Sequence, residues 1–137
     1  MSGKFSLHER LQADTSLVAD LALCSCLLME DARFPWLILV PRIDGMREFH
    51  DVPQQHRAQL LDEIDRASRA MQTHGNAYKL NVAALGNQVE QLHIHVIART
   101  QDDPAWPGPV WGVGKAMPYE DAARNLLLAR IRADIDG

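Results

Sequence analysis

The sequence holds very little cysteine: two residues in 137, Cys24 and Cys26. Their C-x-C spacing, with no second pair, excludes a disulfide framework and a four-sulfur zinc site. Surplus positive charge is also lacking, since fourteen Lys and Arg stand against eighteen Asp and Glu for a net charge of −4. That excludes the broad positive field of proteins that grip duplex DNA, other nucleic acid polymers or anionic membranes, while leaving room for a local site that holds a phosphorylated ligand. Long apolar runs are missing too. Leu21–Met29, broken by Ser25, and Phe34–Val40, broken by Pro35, fall far short of the ~20 residues of a spanning helix, so no membrane segment is expected. The start of the chain has no apolar stretch after Lys4 and is not read as a secretory signal; the expected compartment is a reducing cytoplasm.

What is present is a composition near the globular average, 47% apolar and 23% charged. A chain of this length forms one domain that can bury about two thirds of its unfolded surface. No repeat or low-complexity tract interrupts it, and one boundary stands out, the Pro- and Gly-rich stretch Gln101–Gly114. Ser25–Asp31 and Trp36–Pro41 are short apolar runs about a charged, proline-bearing turn, and predict two adjacent strands. After Val52-Pro53, the residues Leu60, Leu61, Ile64, Ala67 and Met71 recur at helical spacing, which predicts a long amphipathic helix ending near His74-Gly75-Asn76. Lys79–Leu85 and Gln91–Ala98, about a Gly86-Asn87 turn, predict a second antiparallel pair. A final helix is expected from Pro118 to Ile135, with Glu120 and Asp121 in its first turn and a stripe of Ala123, Leu126, Leu127, Arg130 and Ile131. Strands mixed with segregated helices predict an α+β fold: an antiparallel sheet of about five strands, one long helix and a C-terminal helix.

In a strand, successive side chains point to opposite faces, so Gln91, His93 and His95 share one face while Leu92, Ile94 and Val96 share the other. Two imidazoles about 6.5–7 Å apart at the backbone can act on one phosphate-sized group. Three readings follow. The histidines could be the polar face of a half-exposed strand. They could hold zinc with Cys24, Cys26, His50 or an acidic residue, although no spacing marks a third ligand. Or they could catalyse, since an imidazole titrates near ~6.5 and has two chemically distinct nitrogens.

The stretch Gln91-Leu92-His93-Ile94-His95-Val96-Ile97 resembles the motif of the histidine triad (HIT) superfamily of nucleotidyl hydrolases and transferases, His-φ-His-φ-His-φ-φ with φ apolar. Every apolar position matches, as do the second and third histidines, while Gln91 stands in place of the first. The likeness extends to Leu85-Gly86-Asn87-Gln88, to Leu80-Asn81, and to Leu28-Met29-Glu30-Asp31 followed by Leu37-Ile38-Leu39-Val40-Pro41-Arg42, covering about Leu23 to Trp111. It is most similar to a bacterial subgroup with Gln at the first position and an Asp-Pro-Ala-Trp-Pro-Gly-Pro-Val-Trp-Gly stretch, here Asp103–Gly112. The resemblance implies a HIT-like nucleotide-binding domain over residues 1–112, with 113–137 a helical extension of it.

By the same resemblance, His93 is the nucleophile that attacks the α-phosphorus to give a nucleotidyl-histidine, and His95 bonds phosphate oxygens or the leaving group. Asn87 and Gln88 are implied to contact phosphate, Asn81 to line the site, and Asp31 to accept from ribose hydroxyls. Gln91 can hydrogen-bond and orient but cannot carry a proton, so an acid–base role at its position is lost. The implied substrate is a purine nucleotide conjugate, either a nucleoside phosphoramidate or a dinucleoside polyphosphate. No cofactor is required, Mg²⁺ being able to neutralise a polyphosphate leaving group, and a homodimer is implied. The contrasting reading is a nucleotide-binding sensor or partner-binding module without turnover.

Outside the motif, Met29 is placed against the base. Arg99, directly after the motif strand, is the strongest candidate among Arg33, Arg42 and Arg99 for a phosphate cation. Trp106 and Trp111 in the Pro/Gly loop either stack on a base or pin the loop to the body. His50, His56 and His74 are expected to be solvated, and the two cysteines to pack as small apolar residues.

Overall fold

The computed structural model describes Phe5–Ile135. In chain order it contains α1 (Glu9–Asp14), β1 (Thr15–Asp20), β2 (Cys24–Met29), β3 (Trp36–Pro41), α2 (Gln54–His74), β4 (Lys79–Ala83), β5 (Ile94–Arg99) and α3 (Asp121–Ile135), with one short 3-10 turn at Phe49–Asp51. The fold is α+β. Its five strands form one sheet in the order β1-β2-β3-β5-β4, and every neighbouring pair is antiparallel. No helix among the described residues is long and apolar enough to cross a membrane.

The continuous apolar runs of β2 and β3 reflect burial on both faces, as expected of central strands covered on each side. Register sorts their side chains. Leu37 faces Val96 and Leu39 faces Ile94 across β3 and β5; these residues, with Leu92 and Ala98, join Leu60, Ala67 and Met71 of α2 and Leu128, Ile131 and Ile135 of α3 in one core. The alternate residues Leu27, Trp36, Ile38 and Ile97 build a second core on the other face, with Leu11 of α1, Phe34 and Val110. One face of the sheet is thus closed by α2 and α3. The other is left to α1 and the loops.

Glu63, buried on α2, accepts from the N–H groups of Leu23 and Cys24 at 2.8 and 2.7 Å, which satisfies donors at the start of β2 that no strand pairs. Gly75 lets α2 end hard against the sheet. A Cβ there would sit 2.5 Å from Ala98 Cβ and 2.7 Å from the Met71 carbonyl oxygen, neither of which can swing aside. Gly75→Ala should therefore destabilise the fold by roughly 1–3 kcal/mol, read as a lower urea midpoint, through overpacking rather than backbone strain.

The structure departs from the sequence reading at four points. The fifth strand is β1, preceded by α1, and neither is marked by clear periodicity: a bulge between Leu17 and Ala19 turns Val18 into the core and breaks the alternation. The motif strand begins at Ile94 rather than Gln91, because the connection from β4 arrives through a ten-residue excursion, 84–93, instead of a tight Gly86-Asn87 hairpin. The stripe of α3 is Leu128, Ile131 and Ile135, while Leu126 is exposed. That helix packs on α2 and β1, and its Arg132 caps the Leu17 and Val18 carbonyls at 2.9 and 2.7 Å. His74, expected to be solvated, pairs with Asp134 of α3 at 2.6 Å.

Candidate active site

On the face of the sheet opposite α2, a cavity of about 410 Å³ opens, a volume within the roughly 300–1,000 Å³ of small-molecule sites. Its floor is Trp36, Ile38 and His95, its near wall Met29 at the end of β2, and its rim Asn87 and Gln88 from the 84–93 excursion. His93 enters from the residues just before β5, and Trp111 closes the loop side. Ile38 and His95 are direct partners across β3 and β5, so the strand register itself sets the histidine into the floor.

The two histidines hold different faces to the cavity for reasons visible in their bonds. His93 Nδ1 lies 2.7 Å from the Gln91 carbonyl oxygen. A carbonyl only accepts, so Nδ1 carries the proton and Nε2 keeps its lone pair. Burial lowers the His93 pKa, the bond to Gln91 offsets part of that, and the nearby His8 lowers it further. His95 Nδ1 lies 3.0 Å from Trp36 Nε1; an indole N–H only donates, so here Nδ1 is the acceptor and the neutral ring's proton sits on Nε2. Burial, followed by its neighbour His93, pushes the His95 pKa from 6.5 down to about 3. The rings meet edge to face with centroids 4.8 Å apart, and Trp36 and Trp111 flank His95 at 5.6 and 5.1 Å. The pair therefore presents one neutral lone pair and one neutral N–H.

These shifts fix a sign for stability. Both pKa values lie below the ordinary 6.5, so the unfolded chain binds protons that the folded one refuses. The contribution is present in full above pH 6.5 and is lost as pH falls from there towards about 3. Urea titrations should show stability falling with pH well above the carboxylate range, and His95→Asn should flatten that slope.

Of the residues singled out in the sequence, His93, His95, Asn87, Gln88, Met29 and Trp111 line the cavity. Arg99, Asn81, Trp106, Asp31 and Gln91 do not. Arg99, 1% exposed, spends its guanidinium on Asp103 at 2.7 and 3.0 Å, on Asn81 Oδ1 at 2.8 Å and on the Gly108 carbonyl at 2.7 Å. Asn81 is thereby a partner of Arg99. Trp106 packs edge-on to Tyr78 and beneath Arg99, pinning the Pro/Gly loop. Burial would raise the Asp31 carboxyl, but the Arg33 guanidinium and the Met117 and Arg33 N–H groups outweigh it and hold it below the usual range; its oxygens are taken by those partners. Gln91 turns its amide out, accepting from His8 N and donating to the Ser6 carbonyl, both at 2.9 Å.

Arg10, Leu11 and Asp14 of α1 form the remaining wall. The sequence held no signal for them beyond Glu9 at a helix start, since a six-residue helix is too short to show a period. Cys24 and Cys26 are buried in the core that faces α2 and α3. Among the described residues no group of three His, Cys, Asp or Glu could hold a metal.

Comparison with known proteins gives this site its class. The HIT domain family matches residues 10–102, and the chain belongs to that family, whose members are nucleotide-binding hydrolases and transferases. Among solved structures it is similar to a histidine triad protein from Bradyrhizobium japonicum, at 44% identity and TM-score 0.95, covering 97% of this chain and 99% of that one. A histidine triad protein from Marinobacter aquaeolei VT8 is 46% identical, with TM-score 0.94 and 98% of each chain covered. One from Sinorhizobium meliloti 1021 is 43% identical, with TM-score 0.92 and 95% of this chain and 96% of that one covered. No curated protein matches.

Proposed function

We propose that this protein is a nucleotidyl hydrolase or transferase acting at the α-phosphate of nucleoside phosphoramidates or dinucleoside polyphosphates, through a covalent nucleotidyl-histidine on His93. It would belong to the bacterial subgroup in which Gln replaces the first motif histidine. The observation that carries this reading is the pairing of tautomers: the Gln91 carbonyl keeps a lone pair on His93 Nε2, while Trp36 keeps a proton on His95 Nε2.

In the first step His93 Nε2 forms a bond to the α-phosphorus as the bond to the leaving group breaks, the leaving group departing with the electron pair and taking a proton from water. In the second, a water oxygen bonds to phosphorus, the P–N pair returns to Nε2, and the proton lost by that water neutralises the hydroxide left by the first step. The His95 N–H donates to a non-bridging oxygen or to the leaving group as charge develops there. The Asn87 and Gln88 amides, on the cavity rim, donate to phosphate without adding charge. The purine base lies against Met29 and Trp111, an indole face suiting any base. No resident cofactor is needed, Mg²⁺ serving as counter-ion to a polyphosphate leaving group. The proposed assembly is a cytoplasmic homodimer.

The test is AMP release from adenosine 5′-phosphoramidate and from diadenosine tetraphosphate, with and without Mg²⁺. Turnover of either supports the reading. Because the nucleophile's pKa is depressed, the rate should be level above pH 6.5 and fall only on the acid side. The Gln91 amide points away from the cavity, which favours one alternative, a nucleotide-binding module; it would bind AMP and release none from either substrate.

A further inference from the structure

Among the described residues, the wall formed by α1 carries the cavity's one arginine and its one carboxylate, Arg10 and Asp14. We propose that Arg10 is the cation that receives the phosphates beyond the α-phosphorus, and that Gln91 is a positioning residue that clasps the segment carrying it. The proposal rests on the nucleotide reading above and adds to it a preference for polyphosphate-bearing ligands.

The clasp is specific. Through both ends of one amide, Gln91 holds Ser6 and His8, partners more than 80 positions away in sequence. His8 in turn accepts from Arg10 N at 3.0 Å through Nδ1 and caps α1. One residue further on, Leu11 is buried in the core of that sheet face, and Thr15 Oγ1 donates to its carbonyl at 2.6 Å. The helix is therefore pinned at its start by Gln91, at its middle by Leu11 and at its end by entry into β1. The segment borders the nucleophile, since Arg10 and His93 line the same cavity.

Of Arg10, Arg33 and Arg99, Arg10 is the one that lines the cavity with its guanidinium uncommitted to a close partner. Arg33 is committed to Asp31 and the Val113 carbonyl, and Arg99 to its buried box. Arg10 instead is 56% exposed and meets Asp14, itself 51% exposed, only at 4.0 Å, a pair of little worth in solvent that a phosphate can displace. With His93 and His95 neutral, the cavity without Arg10 would oppose an anionic chain with Asp14 alone. A guanidinium fork fits successive phosphate oxygens, whereas the ammonia released from a phosphoramidate offers it nothing.

The experiment measures equilibrium binding of AMP and of α,β-methylene-ATP, whose bond beyond the α-phosphorus cannot be cleaved, to wild type, Arg10→Ala and Gln91→Ala. Wild type should prefer the triphosphate by about 10–100-fold, as charge-assisted bonds imply. Arg10→Ala should bring the preference close to unity. Gln91→Ala should reduce it while Arg10 is still present, with an unchanged circular dichroism spectrum showing that the body remains folded. Equal binding of both nucleotides by wild type and Arg10→Ala overturns the inference and leaves the nucleotide reading standing; a full preference retained in Gln91→Ala overturns the clasp. Binding of neither nucleotide by wild type defeats the nucleotide reading itself.

Discussion

Replacing His93 with Ala should lower AMP release from adenosine 5′-phosphoramidate by at least about a hundredfold while leaving nucleotide affinity within a few fold. The split between the two readouts follows from the site. Besides its edge-on contact with His95, the ring is held through Nδ1 by the Gln91 carbonyl, so its removal takes away the nucleophilic lone pair without touching Asn87, Gln88, Met29 or Trp111, which line the same cavity. Free imidazole, small enough to enter the space left behind, is expected to restore part of the rate. Turnover surviving the substitution would assign the chemistry to directly activated water. Loss of binding together with turnover would make His93 a ligand contact.

Arg99→Ala should destabilise the protein by roughly 3–5 kcal/mol, read as a lower urea midpoint, because removing one member of a buried ion pair strands the other. The stranded groups are explicit: both Asp103 oxygens lose their charged partner and keep only backbone N–H donors, while Asn81 Oδ1 and the Gly108 carbonyl lose the guanidinium. Burial would raise the Asp103 carboxyl, but Arg99 and neighbouring N–H groups hold it below the usual range. Asp103 also accepts from the N–H groups of Ala105 and Trp106 at 3.0 and 2.7 Å, so the Pro/Gly loop that delivers Trp111 to the cavity depends on the same pair. Arg99→Lys should rescue little, since one ammonium cannot reach Asp103, Asn81 and the Gly108 carbonyl at once. A stable Arg99→Ala protein that had lost nucleotide binding would return Arg99 to the role its position after the motif strand suggests.

Arg99 shows where the sequence stops being legible. A cation at a strand end reads equally as a phosphate ligand or as a buried structural charge, and only the arrival of Asp103 and Asn81 from other segments decides between them. Asp31 is the same case, its carboxylate taken by Arg33 and by Met117 from 86 positions away. Long periodic elements were readable: α2 runs Gln54–His74 where Leu60, Ala67 and Met71 repeat. The alternation of the motif placed His93 and His95 together and Leu92, Ile94 and Val96 in the opposite core, although Gln91–His93 precede the paired strand. In β3, by contrast, six buried residues in a row hid which of them faces the site, and so hid Trp36. The α1 wall was invisible because a six-residue helix shows no period and its place is set by Gln91 and by the burial of Leu11, neither of which spacing reveals.

The central claim is a double displacement at phosphorus, and stereochemistry tests it most directly. Hydrolysis in ¹⁸O-water of a phosphoramidate made chiral at the α-phosphorus by sulfur substitution yields a product whose configuration counts the displacements. A nucleotidyl-His93 intermediate predicts net retention, from two inversions in series. Net inversion would contradict the account, since it requires water to displace the leaving group in a single step.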